Sequence, residues 1–360
     1  MTADAAPAPG GRVARWAPRL IGVVVALTVV RLVPAWWCGR DAAAPPTARF
    51  AGEWALVTHQ MIALGLTQVC LAHPDWRPRY LPAATAAALA AWRPAQRRFG
   101  TDAWGGEDAL ASVAGDHGHA YLAYAALALG MVRVAGGALP AETRAEHDAL
   151  IDAYARRLAA SPTGLIDTYP GEAYPTDVAA VAAAIAVHDR ATGGDHRAVL
   201  ARWRAAVEAT QRDPASGLVF QRMGAVDGVP HDAPRGSGTA LAAYYAGFVD
   251  RALAARLTDA VLAHESTALG FGAIREYAAG HRGAGDVDSG PVVLGVSVAA
   301  TGFALAPARA HGHRAAFVRL FRTTALFGLP RDGGRWFVAG GPIGNALLLA
   351  MLTSGPELAP

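Results

Sequence analysis

Residues 164–191 read GLIDTYPGEAYPTDVAAVAAAIAVHDRA. A polar loop crowded with carboxylates and tyrosines runs straight into a segment that carries no charge from Val178 to Val187. A helix that is apolar all round is buried all round, so this segment predicts an inner helix. Thr176 is placed to cap it, and Asp177 brings a carboxylate to the positive end of its macrodipole. The loop in front holds Asp167, Tyr169, Glu172 and Tyr174 among two prolines and a glycine. Its acids are therefore presented at the buried end of an inner helix, where carboxylates acquire the separated pKa values that acid and base chemistry needs. Taken singly, Asp177 could do no more than cap the helix and Glu172 could simply be solvated.

The same contrast recurs along the chain. Segments 49–71, 117–134, 176–191, 237–249, 290–310 and 342–352 are apolar on most sides, whereas 80–92, 142–160, 196–212, 251–264 and 313–326 carry one apolar stripe each. In 142–160, Leu150, Tyr154 and Leu158 share a face while Arg144, Asp148, Asp152 and Arg156 point away. Inner-type segments begin about every 50 to 60 residues, the length of a helical hairpin plus a long connection. Six inner helices alternating with outer ones predict an all-α protein, an (α/α)6 toroid or six-hairpin barrel, over residues 47–360. Five outer helices follow residue 47, so the sixth outer position is empty unless residues 18–37 fill it. Connections entering inner helices are long and polar and those leaving them are short, which gathers the functional loops on one face, over the inner N-termini.

Composition agrees with that class. Hydrophobic residues make up 53% of the 360 and charged residues 17%, a large helical core rather than a disordered chain. The net charge of +3 comes from arginines spread along helices; without a basic stripe or interleaved aromatics, nucleic acid is excluded as a partner. Cys38 and Cys70 have neither metal-ligand spacing nor the makings of a disulfide framework. There is no Walker loop, dinucleotide fingerprint, G-x-S-x-G elbow or H-E-x-x-H, so no cofactor is expected.

Residues 1–46 form a tail, an apolar segment and a linker. Arg12, Arg15 and Arg19 precede the run from Leu20, which is interrupted at Arg31 and ends on Trp36 and Trp37. The arginines place that end in the cytoplasm, and the expectation is a single-pass membrane anchor over 18–37 with the toroid extracytoplasmic. A cleavable signal peptide and a helix packed on the ring are the alternatives.

Ring position by ring position, the loops deliver Glu53, Trp54 and His59, then Asp116, His117 and His119, then residues 167–177. Further round come Asp232, Arg235 and Ser237, the cluster Asp286, Asp288 and Ser289, and finally Trp336 and Asn345. His117 and His119 are two apart at a helix start and face different ways, so no metal site is expected there. Asp286 and Asp288 with Ser289 at a helix entry form either a base site or a cap with its Asx turn. The expected catalytic groups are His119, Asp167, Tyr169, Glu172, Asp177 and Asp288. Trp54, Asp116, Tyr174, Arg235 and Asp286 are the expected substrate contacts. Like charges in a low dielectric should raise the pKa of at least one carboxylate.

Running text carries a family resemblance. Gly118 and His119 followed by AYLAYAALALG, the acidic loop and alanine-rich helix of 164–190, RDPASGLVFQRMG (212–224) and PRGSGTALAAYY (234–245) resemble the linalool dehydratase/isomerase family. The resemblance implies a helical toroid that dehydrates and isomerises tertiary terpene alcohols without a cofactor. It places the family's active-site histidine on His119, its two cysteines on Asp167 and Thr176, and its tyrosine on or near Thr239. An aspartate and a threonine thus stand where the family has thiols.

Two enzyme classes follow. One is a lyase or isomerase of that kind, acting by acid/base chemistry on a hydroxylated apolar small molecule. The other is a carbohydrate-active enzyme of six-hairpin type, with Glu172 and Asp288 as its carboxylate pair and Trp54, Trp104 and Trp336 as stacking platforms. A membrane-tethered ligand-binding module is a third reading, and any of them leaves room for a homo-oligomer.

Overall fold

The computed structural model describes residues 48–286, 289–334 and 336–355. In chain order the helices are α1 (Ala48–Ala72), α2 (Arg77–Ala91), the short α3 (Pro94–Arg97) and α4 (Ala109–Ala114), α5 (Leu122–Val134), α6 (Ala141–Ala160) and α7 (Pro175–Thr192). They continue as α8 (Arg197–Ala206), α9 (Gly236–Ala246), α10 (Arg251–Ala263), α11 (Val298–Phe303), α12 (Leu305–Ala310), α13 (Arg314–Gly328) and α14 (Gly341–Thr353).

Packing closes a ring. Helix α1 lies on α5, α5 on α7, α7 on α9, α9 on α11, α11 on α14, and α14 back on α1. Alanine and glycine let these inner helices approach closely: a Cβ on Gly130 would stand 3.0 Å from Val187 Cγ1. The closing contact is polar as well, since Gln68 Nε2 donates to Ala350 O at 2.9 Å and to Thr353 Oγ1 at 3.0 Å. Helices α2, α6, α8, α10 and α13 form the outer layer. Their single stripes point inward, with Leu150, Tyr154 and Leu158 of α6 and Leu253, Leu257 and Val261 of α10 all buried. The (α/α)6 toroid read from the sequence is the architecture observed.

The connections that enter inner helices differ from expectation in detail. Helix α5 starts at Leu122 rather than 117, because Asp116, Gly118 and His119 take left-handed backbone conformations that no helix can continue. The fifth inner helix starts at Val298 rather than 290, because 290–297 holds an antiparallel hairpin, β5 (Val292–Val293) with β6 (Val296–Ser297). Three more two-stranded pairs line the same rim: β1 (Glu172–Ala173) with β2 (Met223–Gly224), β3 (Glu265–Ala268) with β4 (Phe271–Ile274), and β7 (Pro330–Arg331) with β8 (Trp336–Phe337). The segment expected as one outer helix to 212 leaves α-geometry at Val207 for a π-turn to Gln211. Gln211 then pins the start of the acidic loop, donating through Nε2 to Thr163 O and Gly164 O.

The expected anchor over 18–37 lies outside the described residues. Among those described, Gly52–Ala72 is long and apolar enough to cross a membrane, and half of that stretch is buried within the protein, as suits an inner helix of the ring.

Candidate active site

Asp177 is the acid that the fold holds in the first turn of inner helix α7. Helix α7 begins two residues earlier than a Thr176 cap would start it: Tyr174 is the N-cap and Pro175 the first helical residue, since proline is preset for that position. Thr176 instead turns its hydroxyl to Gly238 O at 3.0 Å and ties α7 to α9. Asp177 Oδ1 accepts from Tyr124 OH at 2.5 Å and Oδ2 from Thr168 Oγ1 at 2.7 Å. Burial pushes its carboxyl above the usual range, and the two hydroxyl donors oppose that push without cancelling it. The residue still keeps some accessible surface, as a group lining the ring mouth does.

Phenols surround it. The Tyr124 ring stands 5.7 Å from that of Tyr245, whose hydroxyl accepts from Gln60 Nε2 at 3.2 Å. Tyr174, edge-on to Tyr169 at 6.3 Å, donates to Glu172 Oε2 at 3.4 Å. Burial and then the charges of Glu172 and Asp177 hold the Tyr174 phenol above its ordinary pKa. Glu172 sits on the rim strand β1, in an ion pair with Arg222 at 2.5 Å. The charge of Glu53 also adds a little to the upward push on the Tyr124 phenol, and its neighbour Trp54 is half-buried.

His119 is held differently. It is fully buried, with its ring 5.6 Å from Trp104 and 5.4 Å edge-on to Tyr121. Among the described residues neither ring nitrogen has a hydrogen-bond partner. Burial, then the charges of His117 and Arg157, lowers its pKa to about 4, so the imidazole is neutral at pH 7. The turn that carries it is latched by Asp167: Oδ1 takes Arg157 Nη2 at 2.9 Å and Gly118 N at 3.3 Å, while Arg157 Nη1 donates to Gly118 O at 2.8 Å. Asp167 therefore spends its carboxylate on Arg157 and the Gly118 N–H, and Asp116 is exposed at the edge of that turn.

The remaining expected residues form a second cluster. Arg235 is buried and pairs with Asp286 and, at 2.7 Å, with Asp232, its guanidinium lying over the Tyr277 ring. Asp286 and Ser289 exchange hydrogen bonds, Ser289 N to Oδ1 at 2.9 Å and Asp286 N to Ser289 Oγ at 2.8 Å. That is a closed turn eight residues or more ahead of the helix it was expected to cap, because the β5–β6 hairpin intervenes. Burial works to raise the Asp286 carboxyl, but Ser289 and Arg235 outweigh it and hold it below the ordinary value. Asp288 lies outside the described residues. Thr239 is structural, donating to Arg235 O at 2.6 Å and accepting from Val219 N at 2.8 Å. Of the proposed stacking platforms, Trp104 is packed on His117 and His119 with Nε1 donating to Thr168 O at 3.1 Å, and Trp336 stands at the exposed rim.

No family model and no curated protein matches the sequence. Among solved structures, the chain is similar to a family 76 glycoside hydrolase from a bovine Bacteroides thetaiotaomicron strain, at 8% identity and a TM-score of 0.48, over 83% of this chain and 68% of that one. Nothing about substrate carries over from an overlap that slight.

Several groups at the mouth escape sequence reading. Tyr124 and Tyr245 sit inside alanine-rich inner helices, where a tyrosine reads as core. Glu276 is fully buried against the start of α9, taking Ser237 Oγ at 2.6 Å, and burial raises its pKa; in sequence it is only a carboxylate just after the β3–β4 hairpin. At the far end of α7, His147, Asp148 and His188 bring ligand-type atoms within 4.8 Å of one another. Arg133 occupies that point, donating to Asp148 Oδ1 at 2.5 Å and to His147 Nδ1 at 3.0 Å, which makes the cluster an ion-pair network.

Proposed function

We propose that this protein is a cofactor-free hydro-lyase or isomerase acting on a hydroxylated, largely apolar, terpenoid-like substrate. The observation that supports it is Asp177: a carboxyl biased toward its protonated form by burial, fixed by Tyr124 and Thr168 among phenols at the inner-helix face. A protonated acid in such surroundings donates to a substrate hydroxyl. The C–O bond then breaks with its electron pair leaving as water, and a proton from the neighbouring carbon passes to a carboxylate, leaving a C=C bond. Glu172, held by Arg222 and accepting from Tyr174 OH, is the acceptor in this scheme. Re-addition of water at another carbon gives isomerisation. Where the resembled family has thiols this chain has Asp167, engaged by Arg157, and Thr176, engaged by Gly238, so the acid role moves one residue along α7 to Asp177.

The test is turnover of tertiary and allylic terpenoid alcohols, with aryl glycosides as the competing panel, followed by gas chromatography of alkene products. Asp177→Asn and Glu172→Gln should remove alkene formation from folded protein. Undiminished turnover in folded Asp177→Asn, or hydrolysis of glycosides alone, overturns the proposal.

A further inference from the structure

The ring has a seam. Five outer helices cover the inner pairs elsewhere: α2 packs on α1 and α5, α6 on α5 and α7, α8 on α7, α10 on α9 and α12, and α13 on α11 and α12. No outer helix among the described residues corresponds to the pair α14–α1. Burial records the difference. Helix α5 is buried at every residue from Leu122 to Val132 and α7 from Val178 to His188. Helix α14, although the sequence GPIGNALLLAMLT is just as apolar, buries only Ala346, Ala350 and Met351. In α1, Ala55, His59, Ile62, Leu66 and Val69 recur at helical spacing and all remain half-exposed. An apolar strip two helices wide, with no outer helix over it among the described residues, calls for a cover.

We infer that residues 18–37 of the same chain are that cover, packed along α14 and α1 as the sixth outer helix. Chain order supports it, since an outer helix precedes each of the other five inner helices and 18–37 precedes α1. Lengths agree: as a helix, 18–37 would span about 30 Å against about 37 Å for α1, and residues 38–47 reach up to about 33 Å, ample for a return. Ile21, Val25, Thr28, Leu32 and Trp36 have the spacing of one helical face. Tethered ten residues away, the segment meets the seam at an effective concentration on the order of millimolar, well above what a separate partner would supply. A bilayer span by the same residues and a second copy seated on the seam are the competing occupants.

The experiment uses the full chain. A photo-reactive p-benzoylphenylalanine replaces Ile21, Val25 or Leu32, one at a time, and irradiated protein is mapped by peptide mass. Crosslinks within one chain to residues 59–69 or 343–352 are expected, together with release of the unmodified protein from cell membranes by an alkaline carbonate wash. Crosslinks to lipid alone, a product of doubled chain mass, absence of intrachain crosslinks from all three positions, or retention through the wash each overturns the inference. The proposed chemistry plays no part in these readouts, so failure of one leaves the other standing.

Discussion

Removing Asp167 should damage this protein more than removing its partner Arg157, although the two share one ion pair. The Arg157 side chain is 7% exposed and that of Asp167 23%, at 2.9 Å. Asp167→Ala leaves a guanidinium unpaired where water scarcely reaches; breaking a buried pair from one side costs about 3–5 kcal/mol, and the surviving bond to Gly118 O puts the loss near the lower end, about 3 kcal/mol. Arg157→Met leaves a carboxylate that can turn to water and still holds Gly118 N, a loss of about 1–2 kcal/mol. Arg157→Met with Asp167→Leu replaces both charges by apolar volume, and such swaps are close to neutral. The double variant should therefore be more stable than Asp167→Ala, and single losses of about 3 and about 1–2 kcal/mol against a near-neutral double give a coupling of about 4–5 kcal/mol, beyond the usual upper end for residues in contact. Urea unfolding at pH 7 reads the order directly, and Trp104, which rests on His119, supplies a local fluorescence signal. Equal losses in the two single variants, or strict additivity in the double, refutes the reasoning, because either outcome means that solvent screens the pair.

Asp177→Asn should lower turnover by about 10²- to 10⁴-fold, the usual worth of a positioned acid. It should also stabilise the fold progressively as pH rises, because a carboxyl whose folded pKa is raised costs stability once it ionises and nothing below its unfolded value; melting temperatures from pH 4 to pH 8 check the sign. His119 behaves oppositely: with a folded pKa of about 4 against an ordinary 6.5, it favours unfolding as pH falls between those values, by up to about 3 kcal/mol. His119→Phe, which keeps an aromatic ring between Trp104 and Tyr121, should flatten that limb, leaving the further drop from His147, lowered to about 3; an unchanged acid limb in urea titrations counts against it. Gly118→Ala should cost at least about 2 kcal/mol, combining a left-handed φ of +68° with a Cβ only 2.7 Å from the Trp104 ring. Gly105→Ala, at φ +72° with nothing within 4 Å, should cost about 1 kcal/mol from backbone strain alone.

The ring was legible because its signal is global. Whether a helix is apolar on all sides, like 178–187, or on one, like 142–160, depends on many residues, and no local deviation erases it. The loops were legible only as a location. His119 was recognisable as special, but its left-handed backbone depends on Gly118 fitting under Trp104 and on Arg157, which the stripe pattern of α6 assigns to a buried face without naming a partner. Thr176 looked like a cap because composition cannot tell that Pro175 takes the first helical position. The β5–β6 hairpin displaced the fifth helix because Leu294 and Gly295, the tip of that hairpin, both adopt positive φ, a choice that alternation in the sequence does not announce for leucine.

What ties the site together is a three-residue segment rather than any single acid. Asp167 latches the turn bearing His119, and its own backbone oxygen accepts from Ala120 N at 3.2 Å. The next residue, Thr168, gives its hydroxyl to Asp177 and its carbonyl to Trp104 Nε1, and Trp104 in turn rests on the His119 ring. Tyr169 follows, edge-on to Tyr174. A displacement of the His119 turn is thus transmitted through Asp167 to the hydroxyl that orients Asp177, without either residue touching the other. In the proposed scheme His119 and Asp167, the positions that the resemblance marks, set the geometry of the acid, and the proton that moves belongs to Asp177 at the first turn of helix α7.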